Sequence, residues 1–214
     1  MDWIKESALM CSVFQGAALA IAATASADCR DGCYRKAPEE YCGYKIPGYD
    51  ADDTPCIFAR KSLDHSPFLK GPLISKEFPL LDRGWVCQER LLARLIIHFS
   101  QTELIWECLE AVYCECSYRG FTRSSSRENT QQWLGWSNLF QLARTRWIYS
   151  ALKLTFSSDR LAALSGIAKL YMGVRPGTYL AGLWSDCIVD DLMWSVFPMD
   201  VTAKPKLWQA PSWS

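Results

Sequence analysis

The pattern of hydrophobic and polar residues is most informative between positions 79 and 108. Two apolar runs, Leu95–Phe99 and Leu104–Cys108, have the length and composition of β-strands, and the four residues between them suit a hairpin turn. Residues 85–90 have helical character, and Asp82 is placed to cap that helix. The pattern therefore predicts a short helix packed against a β-hairpin.

A helix followed by a strand is also predicted at the N-terminus. Over residues 2–16, positions at steps of four, three and four share one helical face, and Gly16 ends the helix. The positions on that face are Trp3, Ser7, Met10 and Phe14. Residues 19–24, LAIAAT, then have the composition of a short buried strand.

The C-terminal half is predicted to be mainly helical. Helical spacing is present over 133–148, and residues 152–156 alternate like a strand. Ser157, Ser158 and Asp159 are placed to cap a helix that Gly173 and Pro176 terminate. Its apolar face comprises Leu161, Leu164, Ile167, Ala168 and Tyr171. A last helix is predicted over 179–196, with a stripe of Leu180, Leu183, Trp184, Ile188 and Leu192.

Two regions are predicted to be loops. Residues 28–78 combine four cysteines with glycine, proline and aspartate, and no regular element is assigned to them. Residues 119–131, RGFTRSSSRENTQ, are polar and indicate a solvated loop.

Charge and composition exclude several classes of function. Lysine plus arginine and aspartate plus glutamate are balanced at 23 each, so the chain lacks the basic footprint of a nucleic-acid or anionic-membrane binder. The apolar run 8–27 is too short and too interrupted for a membrane span. The acidic Asp2 and Glu6 before that run are atypical of a signal peptide. We therefore expect a cytoplasmic protein with reduced cysteines, and secretion as a cysteine-rich protein is a distant alternative.

Five ordered sequence blocks resemble the fungal heterokaryon-incompatibility (HET) domain. The central block comprises the runs RGWVCQERLL, LIIHF and LIWEC, which contain the motif residues Trp85, Gln88, Glu89, Arg90, Trp106, Glu107 and Cys108. The others are DWIKESALMCSVFQGAALAIAAT near the start, and LTFSSDRLAALSGIAK with YLAGLWSDCIVDDLMW and APSWS near the end. The first strands of such a domain, with a Trp-Ile-Asp and a cysteine pair, have no counterpart before Asp2.

The resemblance implies a fold and a domain plan. We expect a mixed α/β fold with a β-hairpin and C-terminal helices. It would be an incomplete domain of the HET type, which is similar to the Toll/interleukin-receptor (TIR) domain. Residues 1–120 would form the partial HET-like domain, with its first strands missing. Residues 121–214 would form a helical extension packed on it, ending in a truncated APSWS strand.

The resemblance also implies a function. HET domains act in heterokaryon incompatibility, which is non-self recognition leading to programmed cell death, and they work through protein partners or self-association. An alternative is a non-catalytic or vestigial interaction module. No nucleic acid, membrane or resident cofactor is expected.

Similarity of HET domains to TIR domains raises the question of NAD hydrolysis, with NAD as substrate. The candidate catalytic carboxylates are Glu6, shortly after Trp3, and Glu89 in the Gln-Glu-Arg run. An alternative role for Glu89 is an ion pair with Arg83, Arg90 or Arg94 that holds the helix on the hairpin. Because an NAD pocket needs strands that are missing, we expect no hydrolysis by this chain.

The cysteines and histidines offer two further candidate sites, a metal centre and a reactive thiol. Cys108, Cys114 and Cys116, taken with Cys29 and Cys33, have spacings that match structural zinc pairs poorly, so no metal site is predicted. Cys87 with His98 is a candidate thiol–imidazole pair. A buried thiol and a structural histidine are the favoured interpretation, because both residues fall among apolar neighbours.

Overall fold

The structure is a computed structural model that describes residues 3–47, 56–65, 68, 77–108, 111–122, 149–173 and 175–193. Its helices are α1 (Trp3–Gly16), α2 (Gly84–Leu92), α3 (Ala162–Met172) and α4 (Ile188–Leu192). Its strands are β1 (Ala20–Ala22), β2 (Tyr44–Lys45), β3 (Phe58–Ala59), β4 (Leu95–Phe99), β5 (Leu104–Cys108), β6 (Ala111–Cys114), β7 (Ser117–Thr122), β8 (Tyr179–Leu180) and β9 (Leu183–Trp184). Short 3₁₀ helices span Glu39–Tyr41, Pro79–Asp82 and Ser157–Asp159. The fold is therefore mixed α/β, as expected.

A five-stranded sheet in the order β1-β4-β5-β6-β7 organises the molecule. β1 runs parallel to β4, and the remaining pairs are antiparallel, so β4 to β7 form a meander. The predicted hairpin is confirmed at both strands, with Leu95 opposite Cys108 and Phe99 opposite Leu104. The predicted N-terminal strand is confirmed only over Ala20–Ala22, and it lies in the sheet.

One face of the sheet carries the hydrophobic core. Alternate residues of three neighbouring strands are buried. They are Ile96 and His98 of β4, Ile105 and Glu107 of β5, and Val112 and Cys114 of β6. Because side chains alternate between the faces of a strand, these positions lie on one face. The core cluster comprises Phe68, Phe78, Leu81, Val86, Ile105, Val112 and Cys114.

The opposite face of the sheet presents apolar side chains to solvent. Four apolar residues on this face lie opposite one another on adjacent strands. Ile21 of β1 pairs with Ile97 of β4, which pairs with Trp106 of β5, which pairs with Tyr113 of β6. Ile21 is 66% exposed, Trp106 40% and Tyr113 44%. We call these four residues the outer row. The prediction of a buried strand at residues 19–24 is wrong at Ile21, because β1 lies at the edge of the sheet and points this side chain outward.

Helices α1, α2 and α3 pack together in one layer, each in contact with the other two. The helix predicted over residues 2–16 is confirmed, with Met10 and Phe14 half-buried and Cys11 buried. α3 ends at Met172 with Gly173 as its C-cap, as predicted, and it buries Ile167 and Ala168. Among the described helices, none is long and apolar enough to cross a membrane.

Both predicted N-caps are wrong. Arg83, not Asp82, precedes α2, and no side chain caps that helix. Asp82 instead accepts from Lys153 Nζ at 3.1 Å, next to a short parallel bridge between Arg83 and Lys153. That bridge is the only ladder pairing described within the strand predicted over 152–156. Likewise, Leu161 precedes α3, and residues 157–159 form a 3₁₀ helix of their own.

The helix predicted over 179–196 is wrong in its first half. Residues 179–184 form the β8–β9 hairpin, and within the described residues 179–193 only Ile188–Leu192 is helical. Ala181 and Gly182 have φ angles of 47° and 101°, the left-handed values of a tight hairpin turn. The Ala-Gly pair between two apolar dipeptides carried that signal. Residues 119–122 belong to β7, not to a loop; the predicted helix over 133–148 and the APSWS strand lie outside the described residues.

Replacement of Gly166 by alanine is predicted to destabilise the protein. A Cβ at this position would lie 2.9 Å from Gln88 Cδ and 3.0 Å from Cys11 Cβ, where α1, α2 and α3 meet. Overpacking of this kind costs about 1–3 kcal/mol. The matched control is Gly16→Ala at the end of α1, where a Cβ would meet nothing within 4 Å. Urea unfolding of both variants measures the difference, and equal stabilities would contradict this packing.

Candidate functional site

A buried carboxylate lies at the centre of the candidate site. Glu107 projects from β5 onto the core face and is 4% exposed. Its Oε2 accepts a hydrogen bond from Arg90 Nε of α2 at 2.7 Å and is 2.9 Å from His98 Nε2 of β4. An unpaired carboxylate is very costly to bury, so these two partners are what allow Glu107 to lie inside.

His98 extends the network to β1. Its Nδ1 lies 2.9 Å from Thr24 Oγ1, and Thr24 also donates to the Ala22 carbonyl at 3.2 Å. The Phe68 ring covers the network: it lies edge-on to the imidazole at 4.9 Å, and the Arg90 guanidinium is 4.6 Å from its centre. We call Thr24, His98, Glu107 and Arg90 the polar chain.

The polar chain has the hydroxyl–imidazole–carboxylate order of a hydrolase triad, but not its accessibility. Thr24 is 0% exposed and His98 is 1% exposed. A substrate cannot reach a hydroxyl with no accessible surface. The geometry therefore supports a structural role for the polar chain. Its hydrogen bonds and its ion pair join β1, β4, β5 and α2.

The other motif residues of α2 attach the helix to the C-terminal part of the chain. Gln88, fully buried, accepts from the Gly166 backbone N–H of α3 at 3.1 Å. Cys11 of α1 donates to the carbonyl of the same Gly166 at 3.5 Å. The Trp85 indole N–H donates to Asp159 at 3.1 Å. One side of α2 thus binds the helix layer, and the other side binds the sheet.

The two carboxylates predicted as catalytic lie elsewhere. Glu6 is exposed in the first turn of α1. Glu89 is half-buried on α2, where burial raises the pKa of its carboxyl and the nearby Arg83 partly opposes that increase. Within the described part of the chain, neither forms a hydrogen bond with the polar chain. Arg90, one of the partners considered for Glu89, pairs with Glu107 instead.

The remaining predicted residues divide between the two faces of the sheet. Trp106 belongs to the outer row, and Cys108 is half-buried on the same face, so only Glu107 of that triplet enters the site. Burial raises the pKa of the Cys87 thiol to about 12. His98 directs its two ring nitrogens at Thr24 and Glu107, so the thiol–imidazole pair does not form.

A second polar cluster lies at one end of the sheet, and the sequence analysis missed it. His65, Glu103, Cys114 and Cys116 bring their nitrogen, oxygen and sulfur atoms within 4.8 Å of one another. Burial, with Cys114 and Glu103 alongside, raises the pKa of the Cys116 thiol to about 12. All ten cysteines of the chain are free thiols in the structure. The Cys-x-Cys spacing was visible in the sequence, but nothing there indicated His65 or Glu103 as neighbours.

Comparison with known proteins adds no relative to this picture. No family model matches the chain, and neither a curated protein nor a solved structure matches it.

Conversion of Glu107 to glutamine is predicted to be severely destabilising. The substitution removes the negative charge and leaves the Arg90 guanidinium without its counter-ion in the core. Breaking a buried pair in this way costs about 3–5 kcal/mol. Asp28→Asn is the control, because the Asp28–Arg30 pair is exposed and exposed ion pairs contribute little to stability. Urea unfolding followed by circular dichroism compares the two, and similar losses would contradict the proposed role of Glu107.

Glu89→Gln is predicted to stabilise the protein at neutral pH. Because the folded pKa of Glu89 is raised, the folded state binds the proton more tightly, and stability falls as pH rises through the window between the unfolded and folded pKa values. Glutamine cannot ionise, so the variant does not lose this stability as the pH rises. Below about pH 4, where glutamate is protonated in both states, the two proteins should converge. Unfolding curves at neutral and acid pH test this, and a pH-independent difference would contradict it.

Proposed function

We propose that this chain is a HET-type domain that acts in fungal non-self recognition and programmed cell death. The observation that carries the proposal is the convergence of the motif residues. Arg90, His98 and Glu107 come from three successive runs of the central block that resembles the HET pattern, and they form one buried hydrogen-bonded unit.

The convergence also supports a role for the motif in specifying the fold. A buried polar network is favourable only when its members are satisfied, and one arrangement of helix and sheet satisfies this one. Gln88 adds a contact to α3 from the same helix. On this proposal, the motif holds the domain in one shape, and signalling depends on surfaces that this shape presents.

We further propose that the chain does not hydrolyse NAD by itself. Glycoside chemistry needs a carboxylate positioned in a pocket that stabilises a cationic centre. Glu6 is exposed, and the buried carboxylate Glu107 is already engaged by Arg90 and His98. Glu89 has the raised pKa that general acids share, so it is the residue whose substitution tests this point.

A second candidate function, a non-catalytic interaction module, is favoured by the outer row. Four cross-strand apolar residues, three of them at least 40% exposed, form a band across four strands. Exposed apolar bands of this kind typically bind other proteins. The two functions are compatible, since HET signalling through shape requires a contact surface.

Expression of the chain in a filamentous fungus is predicted to kill the cells, and this killing should not depend on the carboxylate of Glu6 or of Glu89. Wild type, Glu6→Gln and Glu89→Gln should reduce the viable fraction equally, because neither side chain joins the polar chain. Purified wild type incubated with NAD should release no nicotinamide. Trp106→Glu should abolish killing while preserving the fold, whereas Met172→Glu, at an exposed position on α3, serves as the matched control.

The outcomes separate the proposals. Killing that disappears in Glu6→Gln or Glu89→Gln, together with nicotinamide release by the wild type, would establish an enzyme. Killing that survives Trp106→Glu would show that cell death does not require the outer row. Viable cells that contain folded wild-type protein, verified by immunoblot and protease resistance, would contradict the cell-death function itself.

A further inference from the structure

The cluster of His65, Glu103, Cys114 and Cys116 combines donor types that are typical of a metal centre. It offers one imidazole nitrogen, one carboxylate and two sulfurs from three separate parts of the chain. His65 precedes the core residue Phe68, Glu103 precedes β5, and the two cysteines flank the turn between β6 and β7. We propose that these four residues bind a structural Zn²⁺ ion.

The distances support a tetrahedral site. His65 Nε2 lies 2.5 Å from Glu103 Oε1 and 3.4 Å from Cys116 Sγ, and the two sulfurs are 2.8 Å apart. In zinc sites, ligand bonds of about 2.0–2.3 Å place neighbouring donors roughly 3.3–3.8 Å apart. Side-chain adjustments of about 1 Å would therefore bring the four donors to bonding distance around one ion.

The mixture of donors favours zinc over other cations. Thiolate sulfurs discriminate against calcium and magnesium, which prefer oxygen, and a mixed sulfur, nitrogen and oxygen set with four protein donors is typical of tetrahedral Zn²⁺. The side chains of His65 and Glu103 are only 10% and 3% exposed, and Cys114 lies in the core cluster. Four protein ligands in a buried place predict a closed structural site, not a catalytic one.

The backbone around the ligands is held by independent hydrogen bonds, as a built site requires. Ser100 Oγ donates to the Glu103 carbonyl at 2.6 Å and accepts from its N–H at 3.1 Å. The Cys116 N–H donates to Glu103 Oε2 at 3.1 Å, which orients the carboxylate. Glu115, between the cysteines, accepts from the Leu104 N–H at 2.8 Å and ties the turn to β5. These contacts position three of the four ligands before any ion binds.

The ion would join the loop-rich segment to the sheet. The contacts of residues 56–61 include the pairing of β3 with β2, the backbone hydrogen bonds Ile46 N–H to Ile57 O and Lys61 N–H to Glu40 O, and the exposed Lys61–Glu40 ion pair, all with residues 40–46 of the same loop-rich region. A Zn²⁺ ion bound by His65, by Glu103 before β5 and by the two cysteines at the β6–β7 turn would anchor this segment. Removal of the metal should therefore release the segment around His65 and leave the meander formed.

Elemental analysis of the full chain, purified in the presence of zinc and then dialysed, tests the proposal. We expect about one zinc per chain. His65→Gln and the double variant Cys114→Ser/Cys116→Ser should bind zinc at least ~10-fold more weakly, since even the loss of an outer partner weakens sites by that factor. Cys108→Ser and Cys29→Ser are matched controls, because neither cysteine belongs to the cluster, and they should retain the metal. Limited proteolysis should cut near residues 56–65 only after chelation.

Cobalt substitution keeps the test decisive where a variant does not fold. Co²⁺ bound to the wild type should give the visible bands of a tetrahedral complex and a thiolate charge-transfer band. The proposal is overturned by folded wild type that retains no zinc, or by equal zinc binding in folded Cys114→Ser/Cys116→Ser. It is also overturned by cobalt spectra without thiolate ligation, or by mass spectrometry that finds Cys114 and Cys116 joined in a disulfide in the native protein.

Discussion

The burial of the Glu107 carboxylate is the constraint on which the rest of the structure depends. A charge in a core is tolerated only where hydrogen-bond donors and an opposite charge surround it. Here the donors come from α2 and β4, so the helix and the hairpin must approach in one relative position before the charge is satisfied. The arrangement is weak as a source of net stability and strong as a source of specificity, since any other packing leaves a buried ion unpaired.

The same constraint explains why three polar residues occur consecutively in the middle of a core helix. Successive helical positions are rotated by about 100°, so Gln88 and Arg90 point roughly 200° apart. Gln88 faces Gly166 in the helix layer, and Arg90 faces Glu107 in the sheet. Glu89 falls between these directions and is half-buried. The helix α2 therefore has one polar attachment to α3 within the helix layer and another to the sheet, and its register along both neighbours is specified.

Much of the fold could be predicted from the sequence, and the failures have a common physical origin. The alternation in Leu95–Phe99 and Leu104–Cys108 gave the hairpin, and helical spacing gave α1 and α3, because these are properties of neighbouring residues. Capping by Asp82 failed because Asp82 ends the preceding 3₁₀ helix, so Arg83 takes the N-cap position, and the Asp82 carboxylate pairs with the distant Lys153. The β8–β9 hairpin was not predicted because its apolar residues also fit a helical stripe. The Ala-Gly pair at its turn is the local signal that distinguishes the hairpin from a helix.

The candidate sites were less predictable than the elements that carry them. The resemblance singled out Gln88, Arg90 and Glu107, but no spacing rule pairs Arg90 with Glu107 or adds Thr24 to His98. The second cluster joins His65, in a region where no element is predicted, to Cys116, 51 residues later. Such contacts are created by tertiary packing, and a single sequence contains no periodic signal for them.

A double-mutant cycle between Arg90 and Glu107 tests the central claim most directly. The free energies of unfolding of Arg90→Met, Glu107→Gln and the combined variant separate the pairwise interaction from the effects of each substitution alone. We expect the double variant to lose less stability than the sum of the two single variants, with a coupling free energy above about 1 kcal/mol. Additive losses, to within about 0.5 kcal/mol, would show that the two residues act independently and that the buried pair does not hold the helix to the sheet.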